Sequence, residues 1–84
     1  MIRYTVVWLK TVQNDVGEIW LGSSDRNAIT AASAEIDYEL ATDAERKGEE
    51  LSEGLRVLDS GPLRAVFSVD AKNRIVEVSR IRVL

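Results

Sequence analysis

The C-terminal third of the chain alternates between apolar and polar side chains, and this alternation is the strongest constraint on the fold. Residues 55–58, 63–69 and 74–84 each follow the two-residue period of a β-strand. The short segments DSGP (59–62) and DAKN (70–73) between them have the composition of turns. Because connections this short join antiparallel neighbours, we predict three hairpin-linked strands in an antiparallel sheet.

The central strand of this sheet has two different faces. One face is apolar, with side chains at Leu63, Ala65, Phe67 and Val69. The other face carries Arg64, Val66 and Ser68. We therefore expect the apolar face to pack in the core and Arg64 to project from the opposite side.

Two amphipathic helices are predicted before these strands. Apolar residues recur at spacings of three and four between Thr11 and Trp20, which predicts a helix of about three turns. A longer stripe predicts a second helix from about Asn27 to Arg46. The segment GSSD (22–25) ends the first helix and offers Ser24 or Asp25 as a cap for the second. So short a connection favours an antiparallel helical hairpin on one face of the sheet.

The chain begins with a strand, IRYTVVW at residues 2–8, which is rich in β-branched and aromatic residues. Its apolar residues fall at both parities, so we expect it to be covered on both faces or to lie centrally in the sheet. Trp8 and Trp20 both lie in apolar stripes and are expected in the core. The acidic run ERKGEELSE (45–53) is interpreted as a solvated helix end and linker.

The predicted order is therefore β-α-α-β-β-β, an α+β fold with a small antiparallel sheet in a single domain spanning residues 1–84. A chain of 84 residues is long enough for one core but not for two.

Composition removes several classes of function. The chain has no Cys and no His, which excludes disulfides, thiolate metal sites and imidazole acid–base chemistry. Its longest apolar run covers residues 6–9, far too short for a signal-peptide core or a membrane span. We expect a cytoplasmic protein with no membrane contact, no metal and no small-molecule cofactor.

Charge is distributed unevenly along the chain. Residues 1–53 carry five Lys or Arg against eleven Asp or Glu, whereas residues 54–84 carry six against three. An anionic partner is therefore expected to meet the C-terminal part.

The order and spacing of several segments resemble the RelE/ParE superfamily of bacterial toxins from toxin–antitoxin modules, often labelled plasmid-stabilisation proteins. The segments are YTVVW, DVGEIW, LATDAERKGEEL, GLRVL, GPLRAVFSVD and IVEVSRIR, and they span nearly the whole chain. The resemblance implies a small antiparallel sheet with a helical hairpin against it. It also implies a protein that either cleaves messenger RNA on the ribosome or poisons DNA gyrase. A cognate antitoxin would inhibit such a protein.

The resemblance implies roles for three arginines, and Arg56 is a weaker candidate that more often would be a surface residue. Arg64 falls where the RNA-cleaving branch carries an arginine that contacts the scissile phosphate, which makes it the catalytic candidate. Arg80 and Arg82 lie in the last strand, near further cationic groups of that branch, and with Arg56 and Arg64 they are the candidates for binding the target or the antitoxin. The alternative is a solvated Arg64 paired with Glu77, with Arg80 and Arg82 forming a charged edge that resists aggregation.

The chain departs from the RNA-cleaving branch in three places. Residues 55–58 contain none of its lysines, Phe67 replaces a tyrosine, and Leu84 is the last residue where many members continue to a tyrosine or histidine. Arginine neutralises phosphorane charge well but is a poor base at neutral pH. The spacing of the other candidate proton acceptors does not indicate a catalytic site. They are Lys10, Lys47, Lys72, Tyr4, Tyr38 and many carboxylates.

We therefore expect a ParE-like toxin that binds and inhibits a target such as DNA gyrase. One alternative is a RelE-like ribosome-dependent mRNA endoribonuclease that uses Arg64. The other is a non-toxic relative that keeps the fold and the antitoxin surface.

Overall fold

A computed structural model describes residues 2–84, in which a helical hairpin covers one face of a five-stranded mixed sheet. The elements in chain order are β1 (Thr5–Trp8), α1 (Lys10–Gly22), α2 (Arg26–Ala41), a 3-10 turn (Ala44–Arg46), β2 (Glu49–Ser52), β3 (Leu55–Ser60), β4 (Leu63–Asp70) and β5 (Ile75–Val83). Across the sheet the order is β1-β5-β4-β3-β2. The predicted α+β class is confirmed, as are the helical pair and the three hairpin-linked strands.

Strands β2 to β5 pair antiparallel, whereas β1 pairs parallel with β5 and lies at the edge of the sheet. The expectation that the first strand is central or covered on both faces is wrong. Val7 is 41% exposed, while Val6 and Trp8 pack against the core. The reason is that the helical hairpin covers a single face of the sheet, so only one parity of β1 becomes buried.

The two helices bury the apolar stripes that the sequence predicts. The buried positions are Val12 in α1 and Ile29, Ala32, Ile36 and Leu40 in α2. At the start of α2 the carboxylate of Asp25 accepts a hydrogen bond from the Ala28 N–H at 3.1 Å, as an N-cap does.

The expectation that Trp20 lies in the core is wrong. It lies at the C-terminal end of α1 with 37% of its surface exposed. The Arg26 guanidinium stacks over its ring at 4.6 Å and donates hydrogen bonds to the carbonyls of Trp20 and Leu21. The ring therefore packs beneath a cation that also satisfies the free carbonyls of the helix end.

Helix α2 ends at Ala41, earlier than the predicted Arg46. Contacts with the start of the chain end it: the Asp43 N–H donates to the Ile2 carbonyl at 2.8 Å, and the Ile2 N–H donates to the Asp43 carboxylate at 3.0 Å. Arg3 and Thr42 form an isolated bridge beside them. Asp43 has a left-handed φ of 50°, which stops helical propagation.

The acidic run at 45–53 is not a linker, because it forms most of the 3-10 turn and the edge strand β2. Glu49 lies opposite Val57 in the antiparallel pairing with β3. Gly48 precedes the strand with a φ of 67°, and a side chain there would collide with the Val57 carbonyl. The strand can start here because a glycine permits this close backbone approach.

The face of β4 and β5 that meets the helices supplies much of the core. Its buried side chains are Leu63, Ala65, Phe67, Val76, Val78 and Ile81. The predicted assignment of Leu63, Ala65 and Phe67 to the core is confirmed. We call the opposite side the open face, and it carries Val57, Asp59, Arg64, Val66, Ser68, Glu77, Arg80 and Arg82. Neither helix within residues 2–84 has the length and hydropathy that crossing a bilayer requires.

Candidate functional site

Strands β4 and β5 bring three of the four candidate arginines together on the open face. Arg64 lies directly opposite Arg82, and Arg80 lies opposite Val66. Directly opposed residues share a face of the sheet, with Cβ atoms about 4.5–5.5 Å apart. The structure therefore places Arg64, Arg80 and Arg82 side by side.

A β-bulge at Ser79 decides which face Arg80 and Arg82 occupy. Val66 pairs with Arg80 and Phe67 pairs with Val78, so Ser79 has no opposite residue. The Ser79 hydroxyl donates a hydrogen bond to the Val66 carbonyl at 3.4 Å. If the two-residue period ran from Val78 through Ser79 without a bulge, Arg80 would face inward like Val78. The bulge therefore turns Arg80 and Arg82 outward.

The sequence contains a signal for this bulge. Buried residues of β5 occur at Val76, Val78 and Ile81, so the two-residue period is interrupted once. An interruption of this kind indicates an inserted residue in a strand. Parity alone placed Arg80 and Arg82 together but did not show on which side they lie.

The three arginines surround a shallow hollow of about 150 Å³. Its lining consists of Leu51, Val57, Arg64, Val66, Arg80 and Arg82. The floor is apolar and the rim is cationic, an arrangement suited to an anionic group that also offers apolar contact. None of the candidate lysines or tyrosines lines it.

Arg64 forms an ion pair, although not with the predicted Glu77. Its Nε donates to Asp59 Oδ1 at 2.7 Å and its Nη2 to Asp59 Oδ2 at 2.9 Å. Glu77 lies instead opposite Ser68. The hydrogen bonds from Arg64 and its positive charge lower the pKa of Asp59, which makes this carboxylate a weaker proton acceptor.

Arg56 is separated from the other three arginines. It lies opposite Phe67 and therefore on the side of β3 that faces the helices. Its guanidinium donates to the carbonyls of Lys47 at 2.9 Å and Gly48 at 3.0 Å. These bonds hold the segment that leads into β2, so Arg56 is engaged in a structural contact away from the open face.

Two candidate proton acceptors are also engaged elsewhere. Tyr4 is 8% exposed, and its hydroxyl donates to Glu45 Oε1 at 3.0 Å; burial, followed by this bond, raises its pKa. Lys47 forms an ion pair with Glu39 at 2.6 Å, and the hydrogen bond to that carboxylate raises its pKa. Both groups therefore hold their protons more firmly and make poorer bases at neutral pH. Residues 2–84 contain no cluster of three or more acidic side chains placed to hold a metal ion.

A second concave surface lies between α1 and α2, and sequence reasoning did not identify it. We call it the hairpin groove; it has a volume of about 430 Å³ and is lined by Trp8, Gln13, Val16, Thr30, Ser33, Ala34 and Asp37. Trp8 Nε1 donates to Asp37 Oδ1 at 2.9 Å, which leaves a carboxylate at the rim of a mainly apolar surface. The small residues Ser33 and Ala34 were the available signal, since they leave space beside α1.

Three solved structures share this fold over almost the whole chain. A chain of the toxin–antitoxin complex RelBE2 from Mycobacterium tuberculosis matches with a TM-score of 0.80 and 21% identity, covering 100% of this chain and 94% of that one. A chain of the chromosomal ParDE toxin–antitoxin system from P. aeruginosa matches with a TM-score of 0.75 and 17% identity, covering 98% and 97%.

The third, from the archaeal RelE–RelB complex of Pyrococcus horikoshii OT3, has a TM-score of 0.55 and 17% identity, covering 98% and 96%. No protein-family model and no curated protein matches the chain. At these identities the likeness establishes the fold, and the predicted RelE/ParE-type fold is confirmed.

Proposed function

We propose that this chain is the toxin of a toxin–antitoxin module, of the ParE-like kind that binds and inhibits a cellular target such as DNA gyrase. The fold supports the toxin assignment, because the similar structures come from toxin–antitoxin complexes and systems. In this proposal the open face contacts the target, and Arg64, Arg80 and Arg82 carry the binding.

One observation carries the choice of binding over catalysis: three arginines surround the hollow, and no group suited to proton transfer lines it. RNA cleavage by attack of a 2′-hydroxyl needs a base for that proton and an acid for the leaving oxygen. Arginine supplies positive charge and a planar fork for an oxyanion but remains protonated. The carboxylate bonded to Arg64 belongs to Asp59, whose lowered pKa makes it a weak base.

The second candidate function is a RelE-like ribosome-dependent mRNA endoribonuclease, and the position of Arg64 favours it. Arg64 lies on the central β4 between Asp59 on β3 and Arg82 on β5. A guanidinium at that point is suited to the charge of a phosphorane. In this alternative the ribosome or the messenger RNA contributes the groups for proton transfer that the hollow lacks.

Inducing the chain alone in a bacterial host tests the proposal. We expect growth arrest and loss of plasmid supercoiling, with messenger RNA intact. Rapid cleavage of messenger RNA in phase with codons would establish the endoribonuclease instead. Normal growth with folded protein present would identify a non-toxic relative.

Two triple variants make the role of the open face testable. Replacing Arg64, Arg80 and Arg82 by Ala removes three positive charges, all from the hollow. The matched control replaces Lys10, Arg46 and Lys72, which are exposed and do not line the hollow. We expect the first variant to lose toxicity while remaining folded by circular dichroism, and the control to stay toxic; equal toxicity of both would refute the assignment of the open face.

We further propose that the hairpin groove receives a cognate antitoxin through an amphipathic segment that carries cations. The groove is mainly apolar with Asp37 at its rim, and residues 1–53 carry eleven acidic against five basic side chains. A segment with an apolar stripe and flanking Lys or Arg would match both features.

Co-expressing the neighbouring small reading frame tests this partner. Ala34→Arg narrows the groove. Ala31→Arg places the same side chain on the same helix at a position that does not line the groove. We expect the Ala34→Arg variant to remain toxic and to escape neutralisation, and the Ala31→Arg variant to be neutralised like the wild type. Neutralisation of both variants would place the antitoxin elsewhere.

A further inference from the structure

The Arg64 guanidinium already holds an oxyanion supplied by the chain itself. Asp59 and Arg64 are directly opposite each other on β3 and β4, one residue pair beyond the turn at Gly61 and Pro62. Each of the two Asp59 oxygens accepts a hydrogen bond, one from Nε at 2.7 Å and one from Nη2 at 2.9 Å. A phosphate or carboxylate of a target would use the same paired donors.

We infer that Asp59 competes with oxyanions of the target for the paired N–H donors of the Arg64 guanidinium. It thereby sets how tightly the open face binds those oxyanions. The inference rests on the proposed use of the open face for target binding. It assigns Asp59 a part in specificity that neither the fold nor the resemblance supplies. The pair is half-exposed, with 33% of the Arg64 side chain and 44% of the Asp59 side chain accessible, so an incoming ligand reaches it without unfolding the hairpin.

Arg80 and Arg82 determine what kind of ligand displaces Asp59. Within residues 2–84 the ion pairs are Lys47–Glu39 and Arg64–Asp59, so neither Arg80 nor Arg82 takes part in one. The charge of Arg82 nevertheless acts on Asp59 and helps to lower the pKa of its carboxylate. A ligand with several adjacent charges engages these two free cations first and then meets Arg64 at high local concentration. An isolated anion has no such advantage over a carboxylate held in place by the strand pairing. Asp59 therefore selects for polyanions.

A cycle of variants of the full chain tests the competition. The set is Asp59→Asn, Arg64→Ala and the double variant, with Glu77→Gln as the matched control. Glu77 also lies on the open face, but opposite Ser68, so Glu77→Gln removes one negative charge without changing the Arg64 pair. Fluorescence anisotropy would measure the binding of labelled decauridylate and of a labelled ten-residue polyglutamate peptide. The two probes separate phosphate from carboxylate as the source of the oxyanion.

We expect Asp59→Asn to bind at least one probe about two- to five-fold more tightly than Glu77→Gln, which is the range for a half-exposed ion pair. The gain in affinity should vanish when Arg64 is also replaced, because the competition requires the Arg64 guanidinium. Equal affinity of Asp59→Asn and Glu77→Gln for both probes would refute the inference. A gain that persists without Arg64, or the absence of binding to either probe, would refute it too.

A measurement on the wild-type chain guards against a variant that folds poorly. The Arg64 Nε–H resonance reports the hydrogen bond to Asp59 directly. We expect it to shift as the bound probe saturates the open face, since Asp59 must leave; binding with this resonance unchanged would contradict displacement.

A failure of this inference can be distinguished from a failure of the proposed function. Growth arrest tests toxicity, whereas the variant cycle tests competition at Arg64 in purified protein. A non-toxic chain with the Arg64-dependent gain would refute only the former. A toxic chain without the gain would refute only the inference.

Discussion

Phe67 and Val66 are neighbours on β4, yet they lie on opposite sides of the sheet with different environments. Phe67 is fully buried against the helices, whereas Val66 forms part of the floor of the hollow on the open face. The same contrast separates Ala65 from Arg64. One strand therefore supplies the core with every second side chain and presents the intervening ones on the open face.

The two faces also differ in how their polar groups are satisfied. The face toward the helices is almost entirely aliphatic and aromatic, so its stability comes from apolar burial. On the open face charged side chains predominate, and one ion pair involves Arg64 while Arg80 and Arg82 are exposed. Substitutions on the first face should therefore change stability, and those on the second should change binding.

Exchanging the residues at positions 80 and 81 should have the largest effect, because the bulge at Ser79 makes position 81 the inward one. The double variant Arg80→Ile, Ile81→Arg would place a guanidinium in the core and an isoleucine on the open face. We expect this double variant to be unfolded or insoluble, as measured by circular dichroism and by the soluble fraction on expression. Ser79→Ala keeps both residues in place and should cost about 1 kcal/mol or less, since it removes one long hydrogen bond. A double variant as stable as Ser79→Ala would show that the bulge does not determine the face.

Truncating Phe67 and Val66 in turn tests the comparison at two adjacent positions. Phe67→Ala leaves a cavity in a fully buried site and should cost about 3–5 kcal/mol of unfolding free energy. Val66→Ala removes a half-buried side chain from the open face and should cost about 1 kcal/mol or less. Urea denaturation measures both. Similar losses at the two positions would mean that a partner-free open face contributes as much to stability as the core.

The edge strand β2 should be sensitive at a single glycine. Gly48→Ala places a methyl group against the Val57 carbonyl at a positive φ, which should destabilise the protein by about 1–3 kcal/mol. Gly17→Ala in α1 meets open space and should be neutral or stabilising by up to about 1 kcal/mol. Hydrogen exchange should show faster exchange for Glu49–Ser52 in Gly48→Ala and unchanged exchange in β4. Loss of protection throughout the sheet would instead show that β2 unfolds together with the other strands.

The smallest effect concerns pH and the Asp59–Arg64 pair. The pKa of Asp59 is lowered in the folded protein, so its contribution to stability is present above its ordinary value of 3.8 and is lost as pH falls through the lower folded value. Asp59→Asn should therefore lower Tm by a few degrees at about pH 7, and the difference from the wild type should shrink as the pH is lowered below 3.8. Thermal melts across this range measure it. A difference that stays constant with pH would show that the carboxylate charge does not contribute.

Much of the candidate site was predictable because it depends on strand periodicity. Arg64 stands between two apolar residues of one strand, so its side could be inferred from the alternation. The partner of Arg64 was not predictable, because Glu77 and Asp59 were both within reach of a hairpin whose register was unknown. The register pairs Arg64 with Asp59 on β3 and leaves Glu77 opposite Ser68.

The two helical stripes, a cap at Ser24 or Asp25 and the inward face of Phe67 follow from the sequence, since each depends on residues a few positions apart. Tertiary contacts were needed to show where α2 ends, that residues 49–52 form a strand, and that Arg80 and Arg82 face outward. These features rest on contacts such as those of Ile2 with Asp43, Gly48 with Val57, and Val66 with Arg80. Local periodicity records which side of an element is buried, whereas pairing between distant segments sets register and boundaries and overrides local propensity.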